Sequence, residues 1–145
     1  MMRLLREDVH VHAAADAVYT LVREPEHRAR WFGPAVAELA QDGDALAFRL
    51  PLPLRSERAQ LVLAADEAPR LLAYAANGVP TAVGAVTWVL RAEGPAEVHV
   101  SMETGYTPAS GPLGWLLEEV LHRPHRRQAL RDSLWRLKLI AEGAR

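Results

Sequence analysis

The segment Gly111 to Glu142, GPLGWLLEEVLHRPHRRQALRDSLWRLKLIAE, decides the fold. Leu113, Leu116, Leu117, Val120, Leu121, Leu130, Leu134, Leu137 and Ile140 recur in it at helical spacing, with charged residues on the opposite face. About thirty helical residues at 1.5 Å rise extend ~45 Å, whereas a compact chain of this size has a radius of gyration of only ~15 Å. Such a helix crosses the whole molecule. Pro124 lies inside the pattern, removes a backbone donor and crowds the carbonyl four residues back, so a kink or split is expected near Leu121. The first half, with Leu113, Trp115, Leu117 and Val120, is then a candidate movable wall, and Leu130 to Ile140 is the firmer anchor.

Upstream lies the surface on which this helix packs. From Leu4 to His12 polar and apolar residues alternate, with Val9 and Val11 on one face and His10 and His12 on the other, as in a half-buried strand. Ala14 to Arg23 has helical spacing; Pro25 ends it and can open a second short helix, Glu26 to Trp31, which stops at Phe32-Gly33-Pro34. Strands are then expected at Ala35 to Ala40, Ala45 to Leu50, Ser56 to Ala65, Leu71 to Ala76, Ala82 to Arg91 and Glu97 to Tyr106. The breaks between them are of hairpin length, which makes neighbours antiparallel.

The fold class is therefore α+β: a seven-stranded curved antiparallel sheet around a long C-terminal helix, with two short helices after the first strand. Residues 1–145 read as one domain. Small side chains at Ala73, Ala75 and Ala85 suggest a cavity between sheet and helix. The competing expectation is that the short helices and Trp115 fill that space, as interiors usually are filled.

Composition narrows the function classes. Among 145 residues half are hydrophobic and the formal net charge is -1, which argues against a general nucleic-acid role. Without cysteine there is no disulfide, thiolate nucleophile or cysteine zinc site. The start, MMRLLRED, becomes charged too soon for a secretory signal. No apolar run approaches the ~18 residues that span a bilayer, so the reading is cytoplasmic, without stable membrane insertion.

Several local marks recur in a known order: Val11-His12-Ala13-Ala14-Ala15-Asp16-Ala17-Val18-Tyr19 at the first strand-to-helix junction, Trp31 before Gly33-Pro34, Thr87-Trp88, and Tyr106-Thr107-Pro108 leading into Gly111-Pro112-Leu113-Gly114. With the order of elements, they resemble the helix-grip fold of the START-like (SRPBCC) superfamily, in its polyketide cyclase/dehydrase-like branch. Three alanines stand where that family usually starts its first helix with a serine or proline, which weakens the cap. The resemblance implies a small hydrophobic partner, such as a lipid, a quinone or a polyketide-like aromatic, held between sheet and helix. Only some members are enzymes, so fold alone does not decide function.

The candidate ligand contacts are Phe48, Leu63, Tyr74, Trp88, Met102, Tyr106, Leu113, Leu117 and Val120. Strand alternation turns Tyr106 inward but sends Arg49 and Glu103 to solvent. No serine–histidine–aspartate order, glycine-rich phosphate loop or zinc-protease motif is present, so no catalytic residue is assignable and no cofactor is expected. His10 and His12 share a strand face, and pairing of the first strand with the last brings His99 beside them. The spacing fixes no acidic ligand there, so a solvated convex face is preferred and no metal is assigned. The basic run His122-Arg123-Pro124-His125-Arg126-Arg127 likewise reads as a solvated helix face.

Three functional readings remain: a binding or transport module for a hydrophobic ligand, an aromatase/cyclase-type enzyme using Tyr74, Tyr106 and Trp88, and a chaperone-activator-like interaction domain. A homodimer is left open.

Overall fold

β1 (Arg3–Val11) alternates as expected, burying Leu5 and Val11 and turning His10 outward. The computed structural model describes residues 2–143. Two short helices follow, α1 (Ala15–Arg23) and α2 (Pro25–Trp31), with Pro25 at the start of α2 and a 3-10 turn at Gly33–Ala35. The α1 N-cap is Ala14, which makes no side-chain cap bond; Val18, Tyr19 and Val22, buried on one face, hold the helix instead. The strands β2 (Ala37–Asp42), β3 (Ala45–Leu52), β4 (Arg55–Glu67), β5 (Leu71–Ala76), β6 (Val83–Gly94) and β7 (Glu97–Tyr106) complete the sheet.

The seven strands run in the order β1-β7-β6-β5-β4-β3-β2, and every adjacent pair is antiparallel. Two features bend the sheet. A register shift between Leu63 and Ala65 inserts an extra residue into β4, and such bulges increase local twist. β5 is short, so β4 and β6 meet beyond its end through a parallel bridge from Ala59 to Val83.

The C-terminal segment is helical from Gly111 to Gly143, but in three pieces: α3 (Gly111–Leu117), a π turn (Glu118–His122) and α4 (Arg123–Gly143). The widened turn falls where Pro124 was expected to break the helix. With no N–H on Pro124 and its ring crowding the carbonyl of Val120, a looser turn carries the chain past without a full break.

Three expectations require correction, and one is met. Strand alternation puts Leu72, Tyr74, Val86 and Trp88 on the inner face, so Ala73, Ala75 and Ala85 lie on the outer one and open no space inside. Trp31 and Phe32, from the end of α2, do fill the interior, packing edge-on against Trp88 and Phe48 at ring separations of 5.2–6.0 Å. Trp115 does not join them; it is 61% exposed. His122 and Arg126 are buried, so the basic run is not a solvated face throughout.

Candidate functional site

Between the sheet and α4 lies a cavity of about 30 Å³. Its walls come from β3 (Phe48, Leu50), β6 (Val83, Val86), β7 (Met102, Thr104), the α2–β2 connection (Phe32, Ala35, Val36) and α4 (Arg126, Ala129, Leu130). That volume corresponds to roughly one water. The lining is apolar apart from Thr104 and Arg126, its single charged residue. Thr104 contributes a hydroxyl already donated to the Ala85 carbonyl at 3.2 Å.

Arg126 belongs to a buried ionic cluster built on the π turn. Its guanidinium donates to both oxygens of Glu57 at 2.6 and 2.8 Å, and to both oxygens of Glu118 at 3.0 Å. Arg55 adds a second cation to Glu57 at 3.0 Å. The Arg126 guanidinium lies 3.8 Å from the centre of the Tyr106 ring, and Arg123 donates to the Tyr106 hydroxyl at 2.8 Å. Burial of Arg126 favours loss of its proton, but the hydrogen bonds to Glu57 and Glu118 outweigh this and raise its pKa. Burial, reinforced by the Glu118 charge, raises the Tyr106 pKa, so that phenol stays protonated. His122 Nε2 donates to the Pro53 carbonyl at 3.0 Å and so bolts the π turn to the β3–β4 turn.

A second buried arginine sits on the other side of the aromatic core. Arg28 donates to the Val22 carbonyl at 3.1 Å, to the Gln41 side chain and to the Tyr74 hydroxyl at 3.3 Å, all neutral acceptors. Its pKa is lowered by burial. Trp88 lies between this arginine and the cavity wall: its ring is 5.8 Å from the Arg28 guanidinium and 6.0 Å from Phe32. Trp88 Nε1 is the buried side-chain polar atom left without a hydrogen-bond partner among the described residues.

The structure separates the residues nominated from sequence. Phe48 and Met102 stand on the cavity wall. Tyr74, Trp88 and Tyr106 are fully buried behind it, and Leu63 packs at the core margin. Leu113 and Val120 lie at the surface, 69% and 61% exposed, and Leu117 is half-buried; none of the three lines the cavity.

The fold and this helix-against-sheet arrangement agree with what comparison finds. Residues 2–142 match the family described as polyketide cyclase/dehydrase and lipid transport. The chain belongs to that family. No curated protein matches the sequence. Among solved structures, this family member is similar to TTHA0849 of Thermus thermophilus, at 17% identity and a TM-score of 0.77, covering 98% of this chain and 99% of that one. It is also similar to the Zhui aromatase/cyclase of Streptomyces sp. R1128, at 16% identity and a TM-score of 0.72, covering 99% and 98%. The Aha1 dimer of Colwellia psychrerythraea is more distant, at 9% identity and a TM-score of 0.62, covering 97% and 96%. At these identities the likeness is one of fold.

The ionic cluster was not foreseen, although two periodicities mark it. Counting back in twos from inward Leu61 reaches Ala59 and Glu57. Counting back in fours from buried Leu130 reaches Arg126, His122 and Glu118. Charged residue type outweighed phase in the sequence reading.

No helix of the described residues is long and apolar enough to cross a membrane.

Proposed function

We propose that this family member binds a small, largely apolar ligand carrying one polar edge, such as a lipid, quinone or polyketide-like aromatic, in the space between the sheet and α4. The observation that carries this reading is a largely apolar cavity between sheet and helix with a single charged wall residue, Arg126. At about 30 Å³ the cavity is smaller than the ~300 Å³ or more that ligand sites usually enclose, so a ligand must widen it. Entry requires wall side chains to move apart.

A carrier is favoured over a cyclase because the two tyrosines that would serve catalysis are engaged elsewhere, Tyr74 by Arg28 and Tyr106 by Arg123. Native mass spectrometry of protein purified without denaturation tests the reading. The expected result is a co-purifying apolar small molecule bound one per chain. A ligand-free protein that also fails to bind added quinones, fatty acids and polycyclic phenols would remove both the carrier and the cyclase and leave an interaction domain.

A further inference from the structure

The outer face of the β1–β7 pair carries a cluster unrelated to the cavity. His10 projects from that face of β1 and His12 follows the strand's end, while β7 pairs with β1 in the register His10 to His99 and Val11 to Val98. That register places Glu97 beside both histidines. Glu97 Oε1 lies 3.1 Å from His10 Nε2 and 3.7 Å from His12 Nδ1, and all three ligand atoms fall within 4.8 Å of one another. Ligand atoms about 2.0–2.2 Å from a tetrahedral zinc ion are roughly 3.3–3.6 Å apart, and the two separations from Glu97 lie within a few tenths of an ångström of that range.

We propose that His10 Nε2, His12 Nδ1 and Glu97 form a binding site for one divalent transition-metal ion of the zinc class, with water completing the shell. The supporting contacts are those of a prepared site. Glu93 Oε1 lies 3.0 Å from His10 Nδ1, so that when an ion displaces any proton from Nε2, Glu93 accepts the proton on Nδ1 and fixes the ligating tautomer. Carboxylates behind metal-bound histidines serve this orienting role. The backbone of both histidines is tied to α4: Lys138 Nζ donates to the His10 carbonyl at 2.7 Å, and the His12 N–H donates to Glu142 at 2.7 Å.

The overlapping trio of His10, Glu93 and His99 is the poorer ligand set. His99 Nε2 is held by Asp8 at 3.0 Å, and Arg91 lies 3.2 Å from Glu93, a cation next to the would-be ligand.

The test is a titration of tag-free, chelator-treated protein with Zn²⁺ by calorimetry, and with Co²⁺ followed by its visible absorption. One saturating ion per chain is expected. His12→Ala and Glu97→Gln should each abolish saturable binding, Glu93→Gln should weaken it by about tenfold or more, and His125→Ala on the exposed part of α4 should leave it unchanged. Circular dichroism of each variant confirms that the fold is intact. Absence of saturable binding, or binding that survives both ligand substitutions, overturns the site. Loss with His99→Ala but not with His12→Ala would overturn this ligand set.

Discussion

α3 and α4 are two halves of one helical segment with one apolar period, yet they behave oppositely. α4 buries Leu130, Leu134 and Leu137 against the sheet, whereas α3 leaves Leu113 69%, Trp115 61% and Leu116 50% exposed. The buried line of α4, extended backwards across the π turn, meets His122 and Glu118 rather than leucines. Phase relative to the anchored face decides burial, and apolar period alone does not. Charges therefore occupy the inner positions where the two halves join, and each is satisfied by a partner.

The largest effect expected from breaking this contrast is at the junction. Arg126→Met leaves Glu57 and Glu118 buried without their shared cation and should cost about 3–5 kcal/mol, read as a shift in urea midpoint. Adding Glu57→Gln and Glu118→Gln to that variant should recover much of the loss, since the uncompensated charges are then gone.

A truncation pair comes next. Leu134→Ala in α4 should cost ~2–5 kcal/mol, whereas Leu116→Ala in α3 should stay within about 0.5 kcal/mol. Equal costs would show that α3 is packed as firmly as α4.

Pro124→Ala addresses the π turn itself. Restoring a backbone donor should let the turn tighten, with a stability change of no more than about 1 kcal/mol and slower amide exchange across residues 118–122. Unchanged exchange would mean that the buried ion cluster, not the proline, sets the wide turn.

The smallest effect lies at a partly exposed charge, where the contrast with Arg126 is sharpest. The Tyr19 hydroxyl, and after it Arg23, hold the Asp66 carboxyl below the usual carboxylate range. A lowered carboxylate pKa gives stability that is present above its unfolded value near pH ~4 and is lost as pH falls through the folded value. Asp66→Asn should flatten this acid limb by less than about 1 kcal/mol, because water screens the pair. Urea melts of both proteins between pH 3 and pH 7 would show it.

The fold was legible because its signals are periodic: alternation in the strands, a long helical stripe and Pro124 as its interruption. The site was legible only in part. Phe48 and Met102 follow from alternation, and they stand on the cavity wall. Leu113 and Val120 share the helical apolar stripe that points to that wall, but across the π turn they sit out of phase with the buried Leu130. Arg126, Glu57 and Glu118 carried the right phase and the wrong polarity for a core. Their burial depends on mutual neutralisation across sixty-nine residues of sequence between Glu57 and Arg126, which no local pattern reveals. Glu97 and Glu93 were likewise invisible as partners of His10 until the pairing of β7 with β1 on one side and β6 on the other fixed the register.

In the proposed function the ligand enters between the sheet and α4 and does not rest on the exposed face of α3. Titration with 2-naphthol, followed by tryptophan fluorescence, tests it in three proteins: the unaltered chain, Ala129→Leu, which fills the cavity wall, and Trp115→Ala, which trims the exposed face. Saturable binding is expected in the unaltered chain and in Trp115→Ala, and should be lost in Ala129→Leu. Binding that persists in Ala129→Leu and disappears in Trp115→Ala would contradict the account.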